Sequence, residues 1–164
     1  MRIYLVRHGD ADAEIPEGLG DEARALTAKA RQTTFAHFTS LADRMDKLDL
    51  ILTSPLVRTV QTAQILSLAL KHEGPIRAHR SLLPDMPVGA MASVLHDHAG
   101  ENLVLVGHQP SMGAMAAHLL GMQTFPRQVN PGTVIGIEKP DGDPGAVATL
   151  LFFAAPSQPI LETL

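Results

Sequence analysis

The sequence predicts a layered α/β domain with a largely parallel sheet and an antiparallel edge. Three observations predict it. Short apolar runs at Ile3–Val6, Leu48–Thr53 and Leu103–Val106 have the length and composition of strands buried on both faces, and segments of helical length separate them. Two β-rich runs near the end of the chain flank a dense turn, Lys139-Pro140-Asp141-Gly142-Asp143-Pro144-Gly145, which reads as a hairpin. No linker or shift of composition divides the 164 residues, so residues 1–164 are expected to form a single domain around one core.

The elements follow in order. Ile3-Tyr4-Leu5-Val6 is a strand that starts almost at the first residue. Asp10 to Glu22 carries six acids and no base, and reads as a solvated loop. Arg24 to Met45 reads as a helix, weakened by Thr33-Thr34. After the strand Leu48–Thr53, Ser54 at the N-cap and Pro55 at the first helical position start a helix that runs to about Lys71. Its face is Leu56, Val60, Ala63 and Leu70, and Gly74-Pro75 ends it. Ile76–His79 is a short strand, Pro84–Pro87 a loop, and Val88–His98 a helix. The strand Leu103–Val106 breaks at Gly107, and a helix begins near Pro110 with Gly121 as its stop. Thr133–Glu138 and Val147–Phe153 are the hairpin strands, and Pro156 onward is a tail.

Composition removes several functions. Thirteen Lys and Arg against seventeen Asp and Glu give a net charge of −4, which makes no electrostatic case for nucleic acid. One Tyr and five Phe are too few for a base-stacking platform. The absence of cysteine excludes disulfides, thiolate nucleophiles and zinc–thiolate sites. The longest apolar run, Leu150 to Ala155, is far short of a membrane span, so a soluble cytoplasmic protein with no membrane partner is expected. A monomer is the default expectation.

In sheets of this kind ligands bind beyond the carboxyl ends of the strands. Arg7-His8-Gly9 follows the first strand. Ser54-Pro55, and Arg58 one turn later, follow the second, and Gly107-His108-Gln109-Pro110 follows the third. Adjacent parallel strands would bring two Arg and two His into one crevice. Arg58 is the most informative, because a cation is misplaced in the first turn of a helix unless an anion shares the site. Two guanidinium groups and two imidazoles suit a tetrahedral anion such as a phosphoryl group. A neutral imidazole can attack phosphorus near pH 7, and the arginines supply the positive charge, so neither metal nor cofactor is called for. His96-Asp97-His98 reads as a solvated helix end, and Gly18-Leu19-Gly20-Asp21-Glu22-Ala23 follows no strand and is not a dinucleotide loop.

These blocks resemble the histidine phosphatase superfamily, which includes the cofactor-dependent phosphoglycerate mutases. Val6-Arg7-His8-Gly9 is similar to its Arg-His-Gly signature. Ser54-Pro55-Leu56-Val57-Arg58-Thr59-Val60-Gln61-Thr62 is similar to its Ser-Pro-x-x-Arg-x-x-Gln-Thr block, and Gly107-His108-Gln109-Pro110 to its second histidine motif. The short chain and Arg7-His8-Gly9-Asp10-Ala11 look most like the SixA-type phosphohistidine phosphatases, and Leu26-Thr27 fits a Leu-Thr-x-x-Gly element in which Ala30 replaces the Gly. The resemblance implies a three-layer α/β/α fold of the phosphoglycerate mutase type. It implies that His8 is the phosphorylated nucleophile and that Arg7, Arg58 and His108, with Gln109 as a further contact, hold the phosphate.

One departure bears on the substrate. Larger members place a carboxylic general acid where this chain reads Ser81-Leu82-Leu83-Pro84-Asp85-Met86-Pro87, and Asp85 is the candidate there. An alkoxide leaving group needs a proton, whereas a protonated imidazole leaves phosphorus far more readily. The expected function is therefore metal-independent hydrolysis of phosphohistidine on proteins through a covalent phosphohistidine intermediate. The alternatives are a phosphatase of small phosphomonoesters and a non-catalytic phosphate-binding module on the same fold. The acidic stretch Asp10–Glu22 is expected to lie beside the pocket and to select against polyanionic substrates.

Overall fold

A computed structural model of the chain describes residues 1–45 and 47–164. Among them six strands form one sheet in the order β3-β2-β4-β1-β5-β6. The strands are β1 (Arg2–Arg7), β2 (Leu50–Thr53), β3 (Ile76–Ala78), β4 (Leu103–Gly107), β5 (Val134–Glu138) and β6 (Thr149–Ala154). β1 to β4 run parallel, β5 pairs antiparallel with β1, and β6 closes the hairpin on β5. This is the predicted sheet, with the antiparallel pair at one edge.

The expected one core is instead two, because side chains alternate along each strand and the sheet separates the two sets. Tyr4, Val6, Ile51, Val104 and Val106 point to one face, where α1 (Ala28–Ser40) and α2 (Val57–Leu70) cover them with Phe38, Ala63 and Leu66. Ile3, Leu5, Leu52, Leu103 and Leu105 point to the other, under α3 (Val88–Asp97) and α4 (Ser111–Leu119) with Met91, Val94, Met112 and Met115. The result is three layers, α/β/α. No helix among the described residues is long and apolar enough to cross a membrane.

Several boundaries differ from the sequence expectation for local reasons. The first helix begins at Ala28 rather than Arg24, because the Thr27 side chain accepts the Ala30 N–H at 2.9 Å and makes Thr27 the N-cap. Arg24 to Leu26 stay outside the helix, and Leu26 bridges to Ala11. The second helix has Leu56, not Ser54, at its N-cap, and a left-handed Lys71 (φ 53°) ends it before Gly74 is reached. Its buried stripe runs through Arg58, Thr59, Thr62, Ala63, Leu66 and Ala69, so threonines replace the larger apolar residues expected there. The segment after Pro156 is no loose tail. Leu161 exchanges two backbone hydrogen bonds with Phe153 (2.7 and 3.0 Å), and Leu161 and Leu164 pack on the core.

Candidate active site

The register of the sheet builds the site. Val6 and Thr53 both stand level with Val106 on the shared central strand β4, so β1, β2 and β4 end together. The His8 N–H then donates to Gly107 O (3.1 Å) and the Ser54 N–H to Val106 O (2.9 Å). These bonds carry the three motifs to one edge, where the rings of His8 and His108 meet edge to face with centroids 5.3 Å apart.

Each polar residue of the second motif has a positioning bond. Ser54 Oγ lies 2.8 Å from His108 Nε2. Gln61 Oε1 accepts the Leu26 N–H at 2.8 Å and so ties down the stretch before α1. Thr62 Oγ1 accepts the Gly9 N–H at 3.1 Å and donates to Arg58 O at 2.7 Å, which links the loop after β1 to the start of α2. Gly9 fits because a Cβ there would come within 2.8 Å of Thr34 Oγ1 and 3.3 Å of Leu26 Cδ2. Ser54 was legible as a helix start but not as a support for His108.

His8 is held in one tautomer. Its Nδ1 is 2.7 Å from Gly9 O, an oxygen that only accepts, so Nδ1 carries the proton and Nε2 keeps its lone pair. Burial, opposed by that bond and reinforced by the charges of Arg58, Arg7 and Arg24, lowers the His8 pKa to about 4. His108 is buried and lowered to about 3, first by desolvation and then by His8 and Arg58. Both rings are neutral at pH 7.

The sign of the linkage is set by those shifts. In the unfolded chain both rings take protons near their ordinary value of 6.5, and in the fold they resist. The unfolded state binds more protons below that pH, so stability falls as the pH drops through about 6.5 and keeps falling to about pH 3. Ring NMR titration is expected to place His8 and His108 near 4 and 3, with the urea midpoint lower at pH 5 than at pH 7. Titration of both rings near 6.5 would refute this.

Three arginines surround the histidines. Arg7 Nη1 donates to Val129 O at 2.9 Å. Arg58 is only 5% exposed, although it sits in the first turn of α2. Its Nη1 donates to Asp21 O and its Nη2 to Asp21 Oδ2, both at 3.0 Å. The Nε atoms of Arg7 and Arg58 are buried and meet no acceptor among the described residues. A buried donor without a partner is costly, and a phosphoryl oxygen or water would supply the acceptor. Arg24, which sequence reasoning missed, is the third. Its Nε donates to Asp21 Oδ1 at 2.7 Å, its Nη1 donates to Asp12 O at 3.0 Å, and His8 senses its charge. The signal that could have found it is its place as the first base after thirteen residues of acid-rich loop.

The remaining candidates lie differently. Gln109 spends its Oε1 on the Gly113 N–H at the start of α4 (2.8 Å). Asp85 is exposed on a turn at φ 64°, with no hydrogen bond or ion pair among the described residues. Asp21 is the carboxylate that reaches Arg24 and Arg58, which hold it below the usual Asp value, first through the Arg24 hydrogen bond. No group of three or more His, Asp or Glu among the described residues could hold a metal ion.

A family model described as the histidine phosphatase superfamily (branch 1) matches residues 3–83. An uncharacterized protein of Picosynechococcus sp. is 37% identical over 131 residues, covering 76% of each chain. A phosphohistidine phosphatase SixA homolog of Haemophilus influenzae is 27% identical over 146 residues, 82% of this chain and 85% of that one. The solved structure of the protein histidine phosphatase SixA complexed with tungstate superposes with a TM-score of 0.83 at 21% identity, over 95% of this chain and 97% of that one. At that identity the likeness is one of fold.

Proposed function

The chain belongs to the histidine phosphatase superfamily (branch 1) and is a phosphatase by that membership, and on that premise we propose that it hydrolyses phosphohistidine on proteins through a phosphorylated His8. The observation that carries the reading is the His8 ring, neutral, pinned at Nδ1 by Gly9 O and flanked by Arg7, Arg24 and Arg58. Nε2 attacks phosphorus in line as the bond to the leaving group breaks. The guanidinium groups stabilise the charge on the equatorial oxygens. Water then attacks phosphorus, the P–Nε2 bond breaks, and orthophosphate and a proton leave. His108, held by Ser54, stands beside the same oxygens as a second polar contact.

The choice of substrate rests on the leaving group. General acid help is worth about 10²–10⁴-fold when an alkoxide must depart. Asp21 is kept ionised by two arginines and is a poor proton donor, and Asp85 has no hydrogen bond or ion pair among the described residues that would orient it. A phosphohistidine donor needs less help, since an imidazole leaves as the neutral ring once protonated. Homology to a phosphohistidine phosphatase SixA homolog supports the same reading.

The test is phosphate release from a phosphohistidine protein and from p-nitrophenyl phosphate, with and without chelator. The expected result is a higher kcat/KM on the phosphoprotein, unchanged by chelator. A higher value on small phosphomonoesters would make the chain a small-molecule phosphatase. Loss of activity in chelator would overturn metal independence.

A further inference from the structure

Asp21 closes a ring of charge around the pocket. It lies in the acidic loop, in the 3₁₀ turn Asp21–Ala23, thirteen residues beyond His8. Its carboxylate is shared between Arg24 Nε at 2.7 Å and Arg58 Nη2 at 3.0 Å, and its backbone oxygen takes Arg58 Nη1. Its charge is also felt at His108. The Asp21 side chain is 56% exposed, while that of Arg58 is 6% exposed. The anion therefore stands at the mouth of the site and the cation at its floor. Glu22, the next acid, turns away and accepts the Gly20 N–H instead.

We propose that Asp21 is a specificity-determining residue, an internal anion that competes with the phosphoryl group for Arg58 and Arg24. The proposal deepens the phosphatase reading of the same site, which supplies the identity of the incoming anion. Arg58 has five N–H groups and Asp21 engages two of them, so an entering phosphoryl oxygen either shares the guanidinium or displaces the carboxylate. Either way a fixed negative charge adjoins the phosphate. A substrate with further anionic groups meets that repulsion several times, whereas a single phosphoryl group on an otherwise neutral surface meets it once. The acidic loop thus acts on substrate charge through Asp21, whose carboxylate touches the clamp.

The opposite view makes Asp21 a prop that keeps Arg58 aimed at phosphate. The two views predict opposite signs. Neutralising a competitor leaves a buried guanidinium without a counter-charge and tightens anion binding. Removing a prop loosens the clamp and weakens it.

The experiment is calorimetric binding of inorganic phosphate to wild type, Asp21→Asn and Glu22→Gln at one ionic strength. Binding needs no turnover, so its outcome is independent of whether His8 is phosphorylated. The expected result is a Kd about five- to tenfold lower for Asp21→Asn, with Glu22→Gln within about twofold of wild type, because a charge off the clamp is screened by solvent. A Kd for Asp21→Asn that is equal to or above the wild-type value overturns the proposal. So does an equal gain from Glu22→Gln, which would assign the effect to net charge. A cooperative thermal transition and an unchanged far-ultraviolet circular dichroism spectrum in both variants exclude misfolding as the source.

Discussion

His8→Ala is expected to abolish phosphate release while leaving phosphate binding nearly intact. The loss should be about 10³-fold or more, since removal of a covalent nucleophile leaves only what positioning and charge can do for water. Binding should survive because the cation clamp does not depend on the imidazole. Arg7 is anchored to Val129 O, and Arg58 is buried at the start of α2. Truncation at His8 removes a neutral ring, so no charge in the pocket changes. Rapid quench of the wild type with a labelled phosphoryl donor should trap an acid-labile, base-stable phosphoryl group on the protein, absent from His8→Ala. Release from His8→Ala within tenfold of wild type would mean that water attacks the substrate directly and that no phosphoenzyme forms. A wild-type protein that binds phosphate and releases none would be the binding module considered from the sequence.

The strand ends were legible because they are short-range. An apolar run followed by Gly or Pro marks where a strand stops, and Arg7, His8, Arg58 and His108 fall beside those stops. The pairing order of the strands turned four separate signals into one site. What stayed hidden needed long-range contacts. Ser54 looks like a helix cap in sequence, yet its hydroxyl supports a ring fifty-four residues away. Arg24 looked like the first residue of a helix. It lies outside because Thr27 caps the helix, and because Gln61 and Ala11 hold Leu26 in place. Asp21 was one of six acids, and nothing local sets it apart from Glu22. Only the fold brings it within 3.0 Å of Arg58. The ordered end of the chain is hidden for the same reason, since the Leu161–Phe153 bridge has no local signature.

Arg58→Ala should lower kcat/KM by about 10²–10³-fold, the cost of losing one preorganised donor aimed at developing charge. Most of that loss should fall on kcat where the transition state draws more charge onto the equatorial oxygens than the bound substrate carries. Arg58→Lys should recover little, because Asp21 already occupies two donors of the guanidinium and an ammonium has no planar fork left to offer a phosphoryl oxygen. The backbone at the start of α2 should hold, since Thr62 Oγ1 bonds to the carbonyl of residue 58 rather than to its side chain. A second readout separates a role at the reacting group from a role in folding. The Arg58 charge helps lower the pKa of both histidines, so Arg58→Ala should move both ring titrations upward, toward 6.5. With the charge gone, Asp21 stays paired to Arg24. The phosphate then faces a carboxylate with one fewer cation behind it, and its affinity should fall as well. An Arg58→Ala protein that keeps kcat/KM within threefold of wild type, with its histidine titrations unmoved, would show that the phosphoryl group does not sit against this guanidinium.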